Sequence, residues 1–302
     1  MNITYDSKCL FKDRKPFIPV MGEMQYSRTN HKFWKENIYK MKSVGIDIIS
    51  TYVFWNHHEE EKGVFDFSGN RNLKEFVNEV KNAGLMLCLR IGPWVHGESR
   101  NGGFPDWVEA LGKKARTNDA EYLQYVKRYF EQIFEQVKGF FLNNGGPIVA
   151  IQIENEYGHC GGLTGKDGYE HMCTLQKILE DIGFYVPLYL ATGWGNAAIG
   201  KCLPIWGGYC EAPWTNSTQE LPPMQSYLYR QDRNDTDIGS DFGVHKSDDD
   251  CYNEPYLTVE IGSGMHNTAL RRPVIHGKDI GALINAKLGS GAAMMGYYVM
   301  CG

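Results

Sequence analysis

Four glutamates in this chain of 302 residues stand at or just beyond the ends of short apolar stretches. They are Glu98, Glu154, Glu156 and Glu260. The clearest case is VAIQIENEYG (149–158), in which a β-branched run stops at two carboxylates. Two carboxyl groups in different surroundings, one protonated and one ionised, are what cleavage of a glycosidic bond requires. The acid delivers a proton to the leaving oxygen, and the ionised group traps the oxocarbenium-like carbon.

The elements that position these carboxylates follow from the hydrophobic pattern, in which short apolar runs alternate with amphipathic stretches at helical spacing. The predicted strands cover residues 17–22, 46–55, 85–93, 147–154, 187–192, 202–210, 255–260 and 292–300. The predicted helices cover residues 31–45, 70–84, 119–142, 168–182 and 277–291. This repeated βα order, without a break in composition, indicates a single α/β domain over residues 1–302, a closed (β/α)8 TIM barrel. Residues 211–255 lack periodicity and predict a long loop.

In such a barrel the carboxyl ends of the strands carry the chemistry, so all four glutamates are expected on one rim. The fourth and seventh strands lie on roughly opposite sides of the cavity, which makes Glu156 and Glu260 the natural pair. Side chains alternate along a strand, so Gln152, Glu154 and Glu156 are expected on one face, with Glu154 deeper as a hydrogen-bonding group behind Glu156. A separation of about 5–5.5 Å between the paired carboxyl groups would give retention, and about 6.5–9.5 Å inversion.

Composition and charge restrict the class of protein. The chain is 42% hydrophobic and 22% charged with a net charge of −5, a balance that favours neither disorder nor nucleic-acid binding. It lacks an apolar run long enough to span a membrane, and its first residues lack the apolar core of a secretory signal. Eight cysteines without a C-x-x-C pair predict free thiols in a reducing compartment, so a cytoplasmic location is expected.

Metal and cofactor sites receive little support from the sequence. Adjacent His57 and His58, followed by Glu59, are placed at a strand end, where neighbouring side chains point to opposite faces. The aspartates of residues 231–250 do not have the spacing of a known calcium loop, and GGLTGKDG (161–168) lacks the order of a phosphate-binding loop. Neither a metal nor a cofactor is therefore expected.

Several motifs, in order along the chain, resemble those of glycoside hydrolase family 35, the β-galactosidases. They are GEMQYSR (22–28), TYVFWNHHE (51–59), LRIGPWVHGES (89–99), NGGFPDW (101–107), GGPIVAIQIENEYG (145–158), YLTVEIGSGM (256–265), RRPV (271–274) and the stretch from LGSGA to YYVMCG (288–302). The resemblance implies a (β/α)8 barrel and a retaining hydrolase that releases terminal β-galactose. It further implies that Glu156 is the acid/base and Glu260 the nucleophile.

The same resemblance implies roles for the residues around this pair. Asn155 is similar to the residue that binds the sugar 2-hydroxyl, and an amide suits this because it donates and accepts at once. Tyr52, Glu98 and Tyr298 fall where the family holds the other galactose hydroxyls. The partner implied is a small carbohydrate, a β-galactoside oligosaccharide or glycoconjugate; the oligomeric state is left open.

The sequence departs from the family pattern beside Glu98. Trp94 and Ser99 replace the usual Tyr and Trp, and His96 stands where many members have a small residue or Cys. These changes leave open an exo-acting hydrolase of another β-linked sugar, such as a glucosaminide, or a sugar-binding fragment without catalysis. The chain stops close to the last predicted strand, so a catalytic domain without C-terminal accessory domains is expected.

Overall fold

Eight parallel strands form a closed barrel, as the sequence predicts. The computed structural model describes residues 1–192, 197–209, 229, 254–262 and 276–302. The barrel strands, in chain order, are β4 (Val20–Met24), β5 (Ile48–Tyr52), β6 (Met86–Gly92), β7 (Ile148–Ile153), β8 (Leu188–Ala191), β9 (Leu203–Gly208), β10 (Thr258–Gly262) and β11 (Met295–Cys301). Neighbours in sequence are neighbours in the barrel, and β11 pairs with β4 to close it. The fourth and seventh barrel strands are therefore β7 and β10.

The helices pack on the outside of the barrel through apolar stripes. They are α1 (Trp34–Ser43), α2 (Trp55–His58), α3 (Leu73–Ala83), α4 (Asp106–Glu109), α5 (Ala120–Val137), α6 (Gly165–Ile182) and α7 (Gly277–Gly289). Helix α3 illustrates why they form where the pattern predicts. Asn72 caps its first turn by accepting from the backbone N–H of Glu75, and Gly84 ends it in the left-handed conformation that glycine adopts without strain. The five predicted helices are confirmed, with shifted ends.

The strands predicted over 255–260 and 292–300 begin three residues later than predicted, and two other predicted strands include residues that belong to other elements. Residues 17–22 do not form one strand, because Phe17 ends β3 (Lys15–Phe17) of a separate antiparallel sheet and the barrel strand begins at Val20. Residues 46–55 form a strand only as far as Tyr52. The apolar run continues into α2, a helical turn that carries His57 and His58, so these histidines do not occupy a strand end.

A small antiparallel sheet lies at the amino-terminal ends of the barrel strands, and the sequence did not predict it. It consists of β1 (Ile3–Tyr5), β2 (Leu10–Lys12) and β3. Leu10 packs in one buried cluster with Ile48 and Met86, at the starts of two barrel strands. Between this sheet and the barrel lies an apolar cavity of about 530 Å³. We call this end of the molecule the base and the opposite end, at the carboxyl ends of the strands, the rim.

The free thiols and the long loop predicted from the sequence lie partly within the residues that the structure describes. Cys9, Cys88, Cys160, Cys173, Cys202 and Cys301 are free thiols, as predicted. Most of the loop predicted over residues 211–255, with its aspartate-rich segment, lies outside the described residues. None of the helices in the described part of the chain combines the length and hydropathy needed to cross a bilayer.

Candidate active site

A fully buried arginine organises the middle of the rim. Arg90, on β6, donates from Nη1 to Oε2 of Glu23 at 2.6 Å and from Nε to Oε1 of Gln152 at 2.8 Å. Its Nη2 donates to Oδ1 of Asn155 at 3.0 Å and also forms an ion pair with Oε1 of Glu260. A buried charge is tolerated when it is paired and hydrogen-bonded, and each guanidinium nitrogen of Arg90 has a partner. The network fixes one carboxylate oxygen of Glu260, the central residue of β10.

Tyr52, on β5, contacts three residues of this network. Its hydroxyl lies 3.4 Å from both Oε1 of Glu260 and Oδ1 of Asn155, and its ring lies beneath the Arg90 guanidinium at 3.9 Å. Gln152 also donates to Oδ1 of Asn155, at 2.9 Å. Because this oxygen already has several donors, the Nδ2 group of Asn155 is the part of the amide that remains to donate to a ligand.

Glu156 lies just beyond β7, and its environment favours the neutral acid. The residue is 7% exposed, and its pKa is raised by burial and by the negative charge of Glu260. Its backbone N–H donates to the carbonyl of Ala191 at 2.8 Å, which ties it to the end of β8. The Cys160 thiol donates to its Oε2 at 2.6 Å. The two carboxyl groups proposed from sequence, Glu156 and Glu260, therefore interact electrostatically within one cleft.

Glu154 does not share the face predicted for it. Strand β7 ends at Ile153, and Glu154 adopts a positive φ of 55°, so the alternation of side chains stops there. Its fully buried carboxylate pairs with Arg116, from Nη2 to Oε2 at 2.6 Å and from Nε to Oε1 at 3.2 Å. Asn155 takes the inward position beside Gln152 instead. The prediction of one face for 152, 154 and 156 is wrong, whereas the expectation that Glu154 lies behind the rim agrees with its burial.

The remaining residues proposed from sequence also reach this rim. The Tyr298 hydroxyl donates to Oε2 of Glu98 at 2.5 Å, and the Tyr298 ring meets the Tyr52 ring edge-on at 6.4 Å. Glu98 is exposed and adopts a positive φ of 46°. Tyr298 connects to the buried network as well, because the Arg90 guanidinium lies 5.8 Å from its ring. Five of the six residues named from the sequence are thus linked by side-chain contacts, and the sixth, Glu156, interacts electrostatically with Glu260.

Comparison with known proteins adds an independent observation. The family model described as "Glycosyl hydrolases family 35" matches residues 9–199, more than half of the chain. The chain belongs to glycosyl hydrolases family 35. The matched segment includes Glu98, Asn155 and Glu156, whereas Glu260 and Tyr298 lie beyond it.

Curated relatives agree with this family assignment. The chain is 39% identical over 174 residues to "Beta-galactosidase 6" of Oryza sativa subsp. japonica, a match that covers 57% of this chain and 20% of that protein. It is 34% identical over 223 residues to "Beta-galactosidase" of Bos taurus, covering 72% and 33%. To "Beta-galactosidase-1-like protein 2" of Homo sapiens it is 39% identical over 209 residues, covering 69% and 31%. The matches thus span between a fifth and a third of the length of these relatives.

Solved structures support the fold. The endo-1,4-beta-mannanase from Rhizomucor miehei aligns with a TM-score of 0.69 at 13% identity, covering 99% of this chain and 90% of that chain. A beta-galactosidase from the psychrophilic Marinomonas ef1 aligns with a TM-score of 0.61 at 13% identity, covering 93% and 54%. These alignments, with the closed parallel barrel, establish the (β/α)8 architecture of this family 35 chain.

Four residues of the site in this family 35 member were not predicted from the sequence. Arg90 and Glu23 form its buried ion pair, and Arg116 holds Glu154. Tyr209 follows β9, and its pKa is raised by its burial and by the nearby charges of the proposed catalytic carboxylates and Glu98. A signal was available for Arg90 and Glu23, because a charged residue inside an otherwise apolar strand is rarely buried without a partner. Tyr209 lies one residue beyond β9, at the carboxyl end of that strand.

Proposed function

We propose that this chain is a retaining glycoside hydrolase that releases terminal β-galactose from β-galactosides by double displacement. The observation that carries the proposal is the contrast between two carboxyl groups in one cleft. Glu156 has a raised pKa, caused by burial and by the charge of Glu260, whereas Glu260 is held in an ion pair with buried Arg90. One group is suited to donate a proton and the other to react as an anion.

In the first step of this mechanism, Glu260 attacks the anomeric carbon while Glu156 protonates the leaving oxygen. Arg90 fixes Oε1 of Glu260, so the carboxylate is oriented before substrate binds. In the second step Glu156, now ionised, takes a proton from water, which attacks the same carbon and releases the sugar with its original configuration. Glu156 becomes negatively charged when it gives up its proton, and in the same step Glu260 loses its negative charge by forming the glycosyl ester. The repulsion between the two groups is thereby reduced.

The binding roles proposed for the other residues follow from their free hydrogen-bonding capacity. Asn155 would donate from Nδ2 to the sugar 2-hydroxyl, since its Oδ1 is already occupied. Glu98 and Tyr298, which are hydrogen-bonded to each other, would together with Tyr52 bind the remaining sugar hydroxyls. The names of the relatives, which are β-galactosidases, favour galactose among the β-linked sugars.

A panel of β-linked nitrophenyl glycosides tests the proposal, with the anomer of the first product observed by NMR. We expect release from the galactoside alone, with the β-configured sugar formed first. Release from a glucosaminide would replace the sugar assignment, and an α-configured first product would exclude double displacement. Binding of galactose without turnover of any glycoside would favour a non-catalytic sugar-binding domain.

Substitution of the two carboxylates separates their roles. Glu260→Gln should abolish turnover with the circular dichroism spectrum unchanged, and retained activity would remove Glu260 as nucleophile. Glu156→Gln should lower kcat/KM, which reports the first step, by about 10²–10⁴-fold for poor leaving groups, the range found for general acid catalysis. It should affect kcat/KM for dinitrophenyl galactoside much less, because that leaving group needs no proton, although kcat should fall for both substrates since the second step loses its base. An equal loss of kcat/KM for both leaving groups would contradict the role of Glu156 as acid.

A further inference from the structure

Three different potential metal ligands meet at the proposed acid. A ring nitrogen of His96, a carboxylate oxygen of Glu156 and Sγ of Cys160 all lie within 4.8 Å of one another. They come from two loops of the rim, His96 from the loop after β6 and the other two from the loop after β7. The cluster thus joins neighbouring barrel strands at the point where Glu156 would meet a leaving group.

Each of the two flanking ligands is held by local structure. The His96 ring stacks on Trp94 with ring centroids 5.2 Å apart and planes 19° apart, and the Arg116 guanidinium lies 4.0 Å from the Trp94 ring. The backbone N–H of Cys160 donates to the carbonyl of Glu156 at 2.8 Å, so a turn brings the thiol back over the carboxyl group. Their geometry therefore does not depend on Glu156 alone.

The donor set identifies the class of cation. Sulfur, imidazole nitrogen and carboxylate oxygen together are ligands of Zn²⁺ and similar thiophilic divalent ions, whereas Ca²⁺ and Mg²⁺ take oxygen ligands. Zinc with three protein ligands keeps a fourth position for water or another small ligand. His96 is exposed and Cys160 is half-buried, so an ion can enter from the cleft.

Only small movements are needed to accommodate the ion. With Zn–S at about 2.3 Å and Zn–O at about 2.1 Å, tetrahedral geometry holds the sulfur and oxygen about 3.6 Å apart. The Cys160 Sγ and Glu156 Oε2 atoms are 2.6 Å apart, so they must separate by roughly 1 Å. No two of the ligand atoms lie more than 4.8 Å apart, so the widest separation must close by no more than roughly 1–1.5 Å. Rotation of the exposed His96 side chain can supply that change.

We propose that His96, Glu156 and Cys160 form an inhibitory binding site for Zn²⁺ or a similar thiophilic divalent cation. Binding exchanges the thiol proton of Cys160, and the proton of Glu156 where present, for the metal, and the protons pass to solvent; no atom is oxidised or reduced. The occupied carboxylate can neither hold nor donate a proton. The inhibition, although not the binding, rests on the function proposed above for Glu156.

Cobalt binding tests the site without reference to catalysis. We titrate the purified chain with Co²⁺ alone and record the thiolate-to-cobalt charge-transfer band and the visible bands of tetrahedral Co²⁺. One ion per chain with a charge-transfer band supports the site, and Zn²⁺ should displace it. Cys160→Ser should remove that band, whereas Cys9→Ser, at a cysteine on the sheet at the base, should keep it. A spectrum unchanged by Cys160→Ser, or an absence of tetrahedral Co²⁺, would overturn the proposal.

A second variant covers the histidine. His96 adopts a positive φ of 57°, a conformation that asparagine tolerates, so His96→Asn should fold normally. We expect it to weaken Co²⁺ binding by at least about 10-fold, as the loss of groups that merely support a ligand already does. Equal affinity in this variant and in the unmodified chain would exclude His96 as a ligand.

Inhibition is then measured with a nitrophenyl glycoside, each variant being compared with its own metal-free rate. Zn²⁺ should inhibit the unmodified chain and the Cys9→Ser variant, and a chelator should restore the rate. The Cys160→Ser and His96→Asn variants should need at least about 10-fold more Zn²⁺ for the same inhibition. If no glycoside is cleaved, the proposed function fails while the cobalt spectra still decide the site. If Co²⁺ binds but Zn²⁺ leaves turnover unchanged, the inhibitory role is wrong.

Discussion

The rim and the base of the barrel differ in the chemistry of their buried side chains. The rim holds buried charges, among them Arg90, Glu23 and Glu154, each in an ion pair. The base holds apolar side chains around a cavity of about 530 Å³ and is covered by the three-stranded antiparallel sheet. Buried ion pairs contribute little net stability, whereas apolar burial is the dominant favourable term. The comparison indicates that the base stabilises the barrel while the rim is organised for chemistry.

The backbone shows the same contrast. At the base, Asp13 and Arg14 have positive φ values of 51° and 68° in the two-residue turn that joins β2 to β3, a turn type that requires them. At the rim His96, Glu98 and Glu156 have positive φ values outside any such hairpin. Uncommon backbone conformations of this kind are retained where function needs the side chain in one place.

The largest expected effect is at the centre of the rim. Arg90→Met leaves the carboxylates of Glu23 and Glu260 buried without their cation, so we expect the free energy of unfolding to fall by about 3–5 kcal/mol. Arg100→Met removes the exposed ion pairs with Glu60 and Asp106 and should leave the free energy of unfolding nearly unchanged. Urea denaturation measures both. Similar losses in the two variants would mean that the buried network has no special weight.

The next effect lies at the base and should separate stability from activity. Ile48→Ala truncates a buried side chain in the apolar cluster, with an expected loss of about 2–5 kcal/mol, against about 0.5–1.5 kcal/mol for Ile48→Val. At temperatures where the variants remain folded, kcat/KM for the galactoside should be unchanged. A large fall in kcat/KM of folded Ile48→Ala would show that the two ends are coupled.

A smaller effect is expected at the outer part of the rim. Tyr298→Phe removes the hydrogen bond that the tyrosine hydroxyl donates to the charged Glu98. If this bond is retained with substrate bound, its loss should lower kcat/KM by about 10–100-fold. The matched control is Tyr297→Phe, because the preceding residue of β11 points to the other face of the strand and packs against the outer apolar cluster. Equal kinetics of the two variants would place Tyr298 outside the binding site.

The smallest effect has the opposite sign. The folded-state pKa of Glu156 is raised, so its contribution to stability is complete below pH 4.5 and is lost as the pH rises through the folded pKa. Glu156→Gln cannot ionise and should raise Tm at pH 7 relative to the unmodified chain. The difference should vanish at pH 4. The exposed Glu109→Gln should leave Tm nearly unchanged, and a lower Tm for Glu156→Gln at pH 7 would contradict the raised pKa of Glu156.

The sequence predicted the barrel well because most of its strands are short, largely buried apolar runs, such as β5 and β7. Even the run 202–210, which includes a proline and two glycines, contains a strand, β9. The antiparallel sheet was missed because its strands have three residues each, too few for a period to be visible. The continuation of an apolar run past Tyr52 into α2 illustrates the same limit, since periodicity cannot separate a buried strand from one helical turn.

The site was predictable in its reacting groups and less so in their support. Glu156 and Glu260 could be named because carboxylates at strand ends are uncommon and chemically specific. The turn at Glu154 could not be predicted, because no feature of a glutamate predicts a positive φ. The alternation of side chains that begins at Gln152 therefore ends at a residue that the sequence does not mark. Arg90 was missed since its partners Glu23 and Glu260 are distant in sequence and meet only when the barrel closes.

Closure of the barrel joins Val20 to Met295, residues near opposite ends of the chain described. During synthesis on the ribosome, β4 therefore waits for its last neighbour until nearly all of this sequence has emerged. Until then β4 on one side, and the most recently emerged strand on the other, each present an edge without hydrogen-bonding partners, the kind of edge that recruits strands from other chains. The growing polypeptide thus has a long interval in which molecular chaperones would have an open sheet to protect.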